Sequence, residues 1–381
     1  MARFVHNDII ALVADTRPPK YDLAETVGPD LRLSDLVDEA AFAAELKNLP
    51  LAYGHAAGHP QLRRAIADRY QVGADDVVTA VGGVNAIFLA GMAACDPGDE
   101  VVLAVPAFPP IEATLRAIGA EVRTLRLKFE TGYEVIPSEV LELASSRTKM
   151  VFLTSPQTPS GVAVPYDVQR EVSQALARRN PGAYLVVDET YKAAAYGDEA
   201  VAPSAVGIGT NVVTLTSLSK CHGAPGLRLG WLVTRNRALR SQLVTAKFNT
   251  IISCSPLDEA LAVRLLQKEE SIVRERRQIL AQGLARVAAW ASDNRRYIAW
   301  LRPSAGALCC ARLRPEAFDD AAVNRFHQVI AANGVRVGLG AWFGDEARIF
   351  RIGFGLLPMP DLQAALGILS AGLRQVAAAG A

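Results

Sequence analysis

The chain has 381 residues, half of them apolar, and its 40 Lys and Arg nearly balance its 39 Asp and Glu. This length predicts two domains, or one large domain with a smaller lobe. A formal net charge of +1 argues against proteins that bind nucleic acid by neutralising phosphates, and against proteins that bind anionic membranes. The composition is typical of an α/β globular protein, a class rich in enzymes that act on small molecules.

The five cysteines and five histidines follow no disulfide or metal-site pattern. No CxxC or HExxH occurs, so the thiols indicate a reducing compartment and we predict no metal. The N-terminal segment carries an acidic residue, Asp8, and lacks the apolar run of a signal peptide. The longest apolar stretch, at 87–95, is too short to span a bilayer. We therefore predict a cytoplasmic protein with no membrane partner.

Short apolar segments alternate with helical patterns over the first two thirds of the chain. Helical patterns at 84–94, 110–118 and 168–179 separate several of these segments. Most of the segments are apolar throughout, which is typical of strands covered on both faces, and their alternation with helices predicts a mainly parallel sheet. The predicted strands are Val77–Ala80, Glu100–Val105, Glu121–Leu127, Met150–Thr154, Tyr184–Asp188, Val212–Ser217 and Leu229–Thr234.

A different pattern follows one long helical stretch that begins at Ser255 and Pro256. Beyond this helix, strand-like and helical segments indicate a separate α+β lobe. The first 45 residues lack the sheet pattern, and we expect them to pack on this lobe. The predicted division is thus an N-terminal segment at 1–45, a large domain at 46–285 and a small domain at 286–381.

The run at 216–231 carries the strongest chemical signal. Lys220 follows an apolar strand and lies among small residues and glycines, with the hydroxyls of Ser217 and Ser219 before it and Arg228 after it. A buried lysine can form a Schiff base with an aldehyde, and hydroxyls with an arginine can bind an anion such as phosphate. Taken alone, the run is explained equally well by a solvated loop lysine and a structural arginine.

Two further strand ends carry groups of interest. Asp188 ends the apolar run 184–188, and open α/β sheets place ligand contacts at the carboxyl ends of their strands. The commoner role of such a residue is a helix cap or an ion pair. Another strand runs into Gly82-Gly83 and a helix start, where backbone N–H groups can bind phosphate. Because GxGxxG is absent, this turn does not predict a dinucleotide site.

Three more segments are ambiguous when taken singly. Phe108, in the turn 106–110, could stack on a planar ring or fill the core. Arg351 interrupts an apolar strand and indicates an anionic partner. The Pro-rich loop 154–161 follows a strand end and is explained equally well as a simple turn.

In this order and spacing, the segments resemble the class I/II aminotransferases of fold type I, which use pyridoxal 5′-phosphate. The most specific motif is S-x-S-K-x-x-G-x-x-G-x-R-x-G at 217–230. The D-E-x-Y run at 188–191, the P-x-aromatic-P turn at 106–109 and the Y-G…G…L-R segment at 53–63 agree with it. The resemblance covers nearly the whole chain. It implies a large domain with a mainly parallel seven-stranded sheet in an α/β/α sandwich, plus a smaller α+β domain.

At the matching positions, the resemblance implies that Lys220 binds the cofactor's aldehyde and later moves the substrate's α-proton. It also implies that Asp188 pairs with the ring nitrogen, that Tyr191 bonds the phenolic oxygen and that Phe108 stacks on the ring. The implied phosphate contacts are the amides of Gly83 and Val84, the side chains of Ser217, Ser219 and Arg228, and Tyr53 from a neighbouring subunit. The family resemblance thus implies a homodimer with shared active sites.

Substrate contacts are implied for two residues. Arg351 would clamp the substrate's α-carboxylate, and the backbone of Gly28 would lie against it. An enzyme specific for dicarboxylates would want a second arginine from the partner subunit near the loop before the long helix, and the segment 249–254 has none. We therefore expect an L-amino acid with a neutral or basic side chain as donor and a 2-oxo acid as acceptor.

Two departures from the family pattern leave the reaction class open. The family usually reads N-P-x-N-P-[ST]-G, and its second Asn bonds the cofactor's phenolic oxygen. This chain has Thr158 at that place, and the resemblance implies that its hydroxyl contacts the cofactor with one hydrogen bond instead. His222, close after the lysine, is also unusual; it is either a second proton-transfer group or a structural histidine bonded to backbone. A lyase, decarboxylase or cyclase of the same fold is therefore an alternative. A non-catalytic binding domain is a third reading, against which the intact set of site residues argues.

Overall fold

The computed structural model describes residues 7–14 and 17–378. Within these ranges the strands form two sheets, one of seven strands and one of five. In chain order the strands are β1 (Tyr21–Leu23), β2 (Val77–Ala80), β3 (Glu100–Val105), β4 (Glu121–Arg126), β5 (Thr148–Thr154), β6 (Tyr184–Asp188), β7 (Val212–Ser217), β8 (Gly230–Thr234), β9 (Ile298–Trp300), β10 (Leu308–Leu313), β11 (Val335–Leu339) and β12 (Ile349–Gly353).

Helices cover both sheets. Several begin at a proline in the first turn, where a missing N–H costs nothing. In chain order the helices are α1 (Ala11–Ala14), α2 (Leu33–Leu36), α3 (Glu39–Asn48), α4 (Pro60–Tyr70), α5 (Gly82–Ala94), α6 (Pro109–Ala117), α7 (Pro137–Leu143), α8 (Tyr166–Arg179), α9 (Arg237–Ile251), α10 (Pro256–Gln267), α11 (Glu269–Asp293), α12 (Asp320–Ala332) and α13 (Met359–Ala378). No helix within the described ranges combines the length and apolar character that a bilayer span requires.

The large sheet has the strand order β2-β8-β7-β6-β5-β3-β4. Strand β8 runs antiparallel to both of its neighbours, and the other pairings are parallel. The mainly parallel seven-stranded sheet is therefore confirmed. Its strands match the predicted ones to within two residues at each end.

Apolar residues on both faces of each strand explain why helices cover this sheet on two sides. In β5, Phe152 packs on the face that contacts α5, α6 and α9, whereas Val151 and Leu153 pack on the face that contacts α7 and α8. This alternation follows from the two-residue period of a strand. Full burial of each such side chain contributes roughly 1.5–3 kcal/mol of hydrophobic stabilisation. The predicted α/β/α sandwich is confirmed.

The small sheet has the order β1-β11-β12-β10-β9, with helices α11, α12 and α13 packed on it. The N-terminal strand β1 pairs in parallel with β11, so Tyr21–Leu23 joins this sheet. Further along, Leu36 and Phe42 instead pack with Leu62 of α4 and Leu261 of α10. The N-terminal segment therefore contacts both lobes, and the domain limits at 45 and 285 stay a prediction.

The single long helix predicted after Ser255 is wrong. The Ser255 hydroxyl caps α10 as expected, accepting from the Asp258 amide at 3.4 Å. Helix α10 then ends at Gln267, and α11 starts at Glu269. The break lies at Lys268, whose ψ of 5° is outside the helical range and whose Nζ donates to the Asp35 carbonyl at 3.0 Å. Acidic residues then restart the helix, where its dipole favours negative charge.

Candidate active site

The loop after β7 carries Lys220 at the carboxyl edge of the large sheet. The Leu218 amide donates to the Leu229 carbonyl at 3.0 Å, which closes the loop between β7 and β8. Lys220 lines a small cavity together with Tyr191 of the loop after β6 and Gly28 of the N-terminal segment. Three residues that are far apart in sequence, and that were predicted to serve one site, therefore share one cavity.

An anion cradle forms where α5 begins, at the same edge of the sheet. A Cβ on Gly82 would lie 2.5 Å from Nη2 of Arg228, so only glycine admits the guanidinium at this helix start. A Cβ on Gly83 would lie 3.7 Å from the Ser217 hydroxyl and 4.0 Å from that of Thr190. Two hydroxyls, a guanidinium and the free N–H groups of a 13-residue helix thus converge, which suits a phosphate.

The carboxylate of Asp188 lies at the end of β6, between the ends of β5 and β7. It is 6% exposed, and its Oδ1 accepts from the Thr190 amide at 2.9 Å. Burial raises its pKa from 3.8 to about 6, because the charged form is poorly solvated there. A cationic ring nitrogen next to this carboxylate would supply the charge partner that favours ionisation.

Two of the predicted residues meet where β12 of the small sheet contacts the loop after β5 of the large sheet. Arg351 of β12 is buried, and its Nη1 donates to the Thr158 hydroxyl at 3.4 Å. Its Nη2 donates to the Ala24 carbonyl, and its guanidinium stacks over the Phe343 ring at 4.5 Å. Its Nε has no hydrogen-bond partner in the part of the chain that the structure describes. A buried arginine with an unused donor is suited to hold a carboxylate.

The remaining predicted residues lie around this core of the site. Phe108 is half-buried at the start of α6, directly after β3, and packs against the core of the large domain. Ser219 donates its amide to the Ser217 hydroxyl at 3.4 Å. Val84 and Tyr53 are exposed on the surface, Tyr53 to 83%. The side chains of these two residues are therefore largely uncovered by the rest of the chain.

Sequence reasoning missed three residues that the structure places in the site. Thr26 shares a 2.7 Å hydrogen bond with the hydroxyl of Tyr191. Thr190 faces the start of α5 and bonds Asp188 through its amide. Arg276 of α11 lines the cavity of Lys220. Only Thr190 carried a signal, since it lies inside the D-E-T-Y run; the other two come from distant segments without any motif.

The prediction of a backbone partner for His222 is wrong. Its Nε2 bonds the Glu269 carboxylate at 2.7 Å, because the restart of α11 places that residue beside the lysine loop. His222 lines a second cavity with Tyr70 and Trp231, and not the cavity of Lys220. Among residues 7–14 and 17–378, no cluster of three or more His, Cys, Asp or Glu side chains is arranged to hold a metal ion.

A family comparison decides what kind of protein carries this site. The family model for aminotransferase class I and II matches residues 27–369. The chain belongs to this family. The matched range includes the site residues from Gly28 to Arg351, whereas Thr26 lies just before it.

Curated relatives of this aminotransferase family member differ in their reactions. A capreomycidine synthase of Streptomyces vinaceus is 31% identical over 327 residues, which cover 86% of this chain and 82% of that protein. An arginine–pyruvate transaminase of Pseudomonas aeruginosa is 29% identical, with coverage of 77% and 75%. These relatives are both similar to this chain, but the reactions for which they are named differ from each other.

Solved structures agree on the fold. A pyridoxal-phosphate-dependent aminotransferase from Streptococcus suis has a TM-score of 0.85 at 24% identity and covers 94% of both chains. A pyridoxal-phosphate-dependent cyclase, OrfR, has a TM-score of 0.81 at 27% identity and covers 97% of this chain and 96% of that one. The fold is that of the pyridoxal-phosphate-dependent aminotransferases, fold type I.

The site residues fit pyridoxal 5′-phosphate. The cradle at the start of α5 suits its phosphate, the buried Asp188 suits its ring nitrogen, and Lys220 supplies an amine for its aldehyde. Family and site together identify pyridoxal 5′-phosphate as the cofactor of this enzyme.

Proposed function

We propose that this enzyme is an aminotransferase that moves an amino group between an L-amino acid and a 2-oxo acid. The observation that carries the proposal is the cavity that Lys220, Tyr191 and Gly28 share. The N-terminal segment connects this cavity to the buried Arg351, because Thr26 bonds Tyr191 and the Ala24 carbonyl accepts from Arg351. A transaminating site needs a mobile amine beside the reacting carbon and a fixed carboxylate clamp. This arrangement offers both.

The cofactor supplies an electron sink for the pair of electrons left when the substrate's Cα–H bond breaks. The amine of Lys220 would take the proton from the substrate's Cα and return it to the carbon of the cofactor's aldehyde group, which leaves the amino nitrogen with the cofactor. The carboxylate of Asp188 would keep the ring nitrogen protonated, and the Tyr191 hydroxyl would be the donor to the phenolic oxygen. Arg228 and Ser217 would hold the phosphate, and Phe108 would pack against the ring.

Arg351 is proposed to hold the α-carboxylate of the substrate, because it combines burial with an unused donor. Arg351→Lys keeps the charge but loses the planar fork. We expect KM for both amino acid and oxo acid to rise by about tenfold or more, with kcat changed less. Steady-state kinetics with Arg348→Lys as control, a partly buried arginine paired with Asp320 at 2.8 Å, would test this. Equal changes in both variants would contradict the clamp.

The amino donor is proposed to carry a neutral or basic side chain. The segment 249–254 has no arginine for a second carboxylate, and one relative is named as an arginine–pyruvate transaminase. The test is a screen of single L-amino acids of each charge class against pyruvate, measuring the new amino acid. Arginine, lysine and neutral donors are expected to exceed aspartate and glutamate in kcat/KM; the reverse order would contradict the donor preference.

The active form is proposed to be a homodimer. Leu51 is 98% and Tyr53 83% exposed, and the Gly54 amide donates to the Ser253 hydroxyl at 3.1 Å, next to Ile252. Together with Phe248 these side chains form an exposed apolar patch of the kind that marks a protein interface. In a dimer, Tyr53 would reach the partner's phosphate site.

Phe248→Asp is expected to shift the protein to monomers and to lower kcat/KM by about tenfold or more, because burying an unpaired charge opposes association. Size-exclusion chromatography with light scattering and an activity assay would measure this. Met92→Asp, at an apolar residue outside the patch that is 48% exposed against 55% for Phe248, is the control. A Phe248→Asp protein that stays dimeric and active would contradict the interface.

A cyclase is a second candidate, favoured by one specific observation. Thr158, in the place of the family's Asn, bonds Arg351 through its hydroxyl. The phenolic oxygen of the cofactor would then have one amide donor fewer than in enzymes that carry the Asn. In addition, one relative is named a synthase and another a cyclase. A product that retains its amino nitrogen and forms without any oxo acid would support this candidate over transamination.

A further inference from the structure

Arg276 is a buried guanidinium in the site for which the proposed reaction has no use. It lies on α11 and is 7% exposed. Its side chain lines the same cavity as Lys220, Tyr191 and Gly28. Burying an arginine is costly unless its donors are used, so these contacts require an explanation.

The guanidinium joins two segments that are distant in sequence. Its Nε donates to the Cys221 carbonyl at 2.9 Å, directly after Lys220 in the chain. Its Nη1 donates to the Pro29 carbonyl, in the N-terminal segment. The Leu31 amide donates to the Gly223 carbonyl at 2.8 Å and closes the same junction. One side chain thus ties the lysine loop to the N-terminal segment.

Two glycines make room for this side chain. A Cβ on Gly28 would lie 2.7 Å from Nη2 of Arg276, and a Cβ on Gly223 would lie 2.3 Å from its Nη1. Both distances are shorter than van der Waals contact, so a side chain on either residue would push the guanidinium out of this position. Its Nη2 has no hydrogen-bond partner among the described residues.

The N-terminal segment that Arg276 holds contacts the site at several points. We define the strap as residues 24–31, which includes Gly28. The Ala24 carbonyl accepts from Arg351, and the Thr26 hydroxyl bonds Tyr191 at 2.7 Å. The strap therefore runs from the proposed carboxylate clamp, past Tyr191, to the lysine loop, and Arg276 anchors its far end.

We propose that Arg276 is a positioning residue that holds the strap against the lysine loop, and so fixes Gly28 and Lys220 on opposite walls of the substrate cavity. The inference rests on the proposed function only in taking Lys220 as the reacting lysine. A lysine cannot replace this arginine, because a single ammonium lacks the fork that reaches the Cys221 and Pro29 carbonyls together.

The test compares Arg276→Lys and Arg276→Met with Arg277→Met. Arg277 is the next residue on α11 and donates to the Ala193 carbonyl at 3.2 Å, so it controls for loss of a neighbouring arginine. Hydrogen-exchange mass spectrometry is done on the cofactor-loaded protein. In both Arg276 variants, exchange in the strap and in the lysine loop is expected to rise together, by about tenfold or more, with the large sheet unchanged.

Kinetics and chemical rescue give a second readout. KM for amino acid and oxo acid is expected to rise by about tenfold or more in the Arg276 variants, while cofactor retention stays normal because Arg228 and Ser217 are untouched. A third variant, Arg276→Ala, leaves space for a free guanidinium ion, and added guanidinium is expected to restore KM in it. Exchange that rises throughout the protein, or no change in the strap, would overturn the proposal.

A variant that keeps the arginine guards against misfolding of the others. In Gly28→Ala, the new Cβ would displace the guanidinium, and we expect the same joint rise in exchange of strap and lysine loop. An unchanged exchange pattern in Gly28→Ala would also count against the proposal. The exchange experiment needs no turnover, so its result stands apart from any failure to transaminate.

Discussion

Lys220→Ala is expected to remove both the visible absorption band of the bound cofactor and the amino-transfer activity. The amine of Lys220 is the group in the cavity that can bond the aldehyde and carry the substrate's α-proton. Loss of proton transfer alone lowers kcat by a factor of about 10² to 10⁴. Absorption spectroscopy of the dialysed protein and an oxo-acid release assay would measure the two effects.

Lys192→Ala is the matched control for this substitution. Lys192 follows shortly after Asp188, lines the other cavity and pairs with Glu189 at 3.5 Å. We expect it to leave the absorption band and kcat within about twofold of the parent protein. A Lys220→Ala protein that keeps the band, or a Lys192→Ala protein that loses it, would contradict the assignment of Lys220.

Asp188→Asn is expected to have opposite effects on activity and on the stability of the cofactor-free protein. Asparagine keeps the Thr190 amide bond but cannot hold a proton on the ring nitrogen. We expect kcat to fall by roughly 10²-fold or more, the size of effect that loss of one well-placed electrostatic contact produces. Steady-state kinetics at saturating cofactor would measure it.

The stability effect follows from the raised pKa of Asp188, about 6 against 3.8. The folded protein holds this proton more tightly than the unfolded chain, so stability falls as pH rises from about 4 to about 6 and stays lower above that range. A pKa difference of that size corresponds to roughly 3 kcal/mol. In the cofactor-free protein at pH near 8, Asp188→Asn should therefore raise the free energy of unfolding, by up to that amount.

Denaturant titrations of the two cofactor-free proteins at acidic and alkaline pH would measure this difference. The two proteins should be nearly equal in stability only below the unfolded pKa of 3.8, at pH about 3 or lower, where Asp188 is mostly protonated in both states. Asp198→Asn is the matched control, because it makes the same substitution at a carboxylate that is exposed to solvent. An Asp188→Asn protein that is less stable at alkaline pH would contradict the burial cost of the carboxylate. One that keeps full kcat would contradict its pairing with the ring nitrogen.

The sheet domain and the cofactor could be predicted from sequence because their signals are local. Apolar runs that end in Asp188 or Ser217 are visible in the chain, and parallel strands bring their carboxyl ends to one edge. The fold, the family and the cofactor are confirmed. The roles of the individual site residues, the dimer and the cytoplasmic location stay predictions.

The rest depends on contacts between distant segments, which no local pattern reports. Thr26 reaches the site because the N-terminal segment crosses from the small sheet to the lysine loop, and Arg276 reaches it from α11, which packs beside that loop. The helix break at Lys268 is not visible in the sequence either, since apolar periodicity continues across it; the Nζ of Lys268 contacts the Asp35 carbonyl, 233 residues away. That break then places Glu269 beside His222 and decides the partner of that histidine.

The reaction class is tested most directly by a single-turnover experiment on the cofactor-loaded protein. One L-amino acid of the preferred class is added without any oxo acid, and the products are quantified. Transamination predicts one molecule of the matching 2-oxo acid per protomer, conversion of the bound cofactor to its aminated form, and then no further reaction until an oxo acid is supplied. Continued turnover without an acceptor, with release of ammonia, carbon dioxide or a cyclised amino acid, would contradict the account.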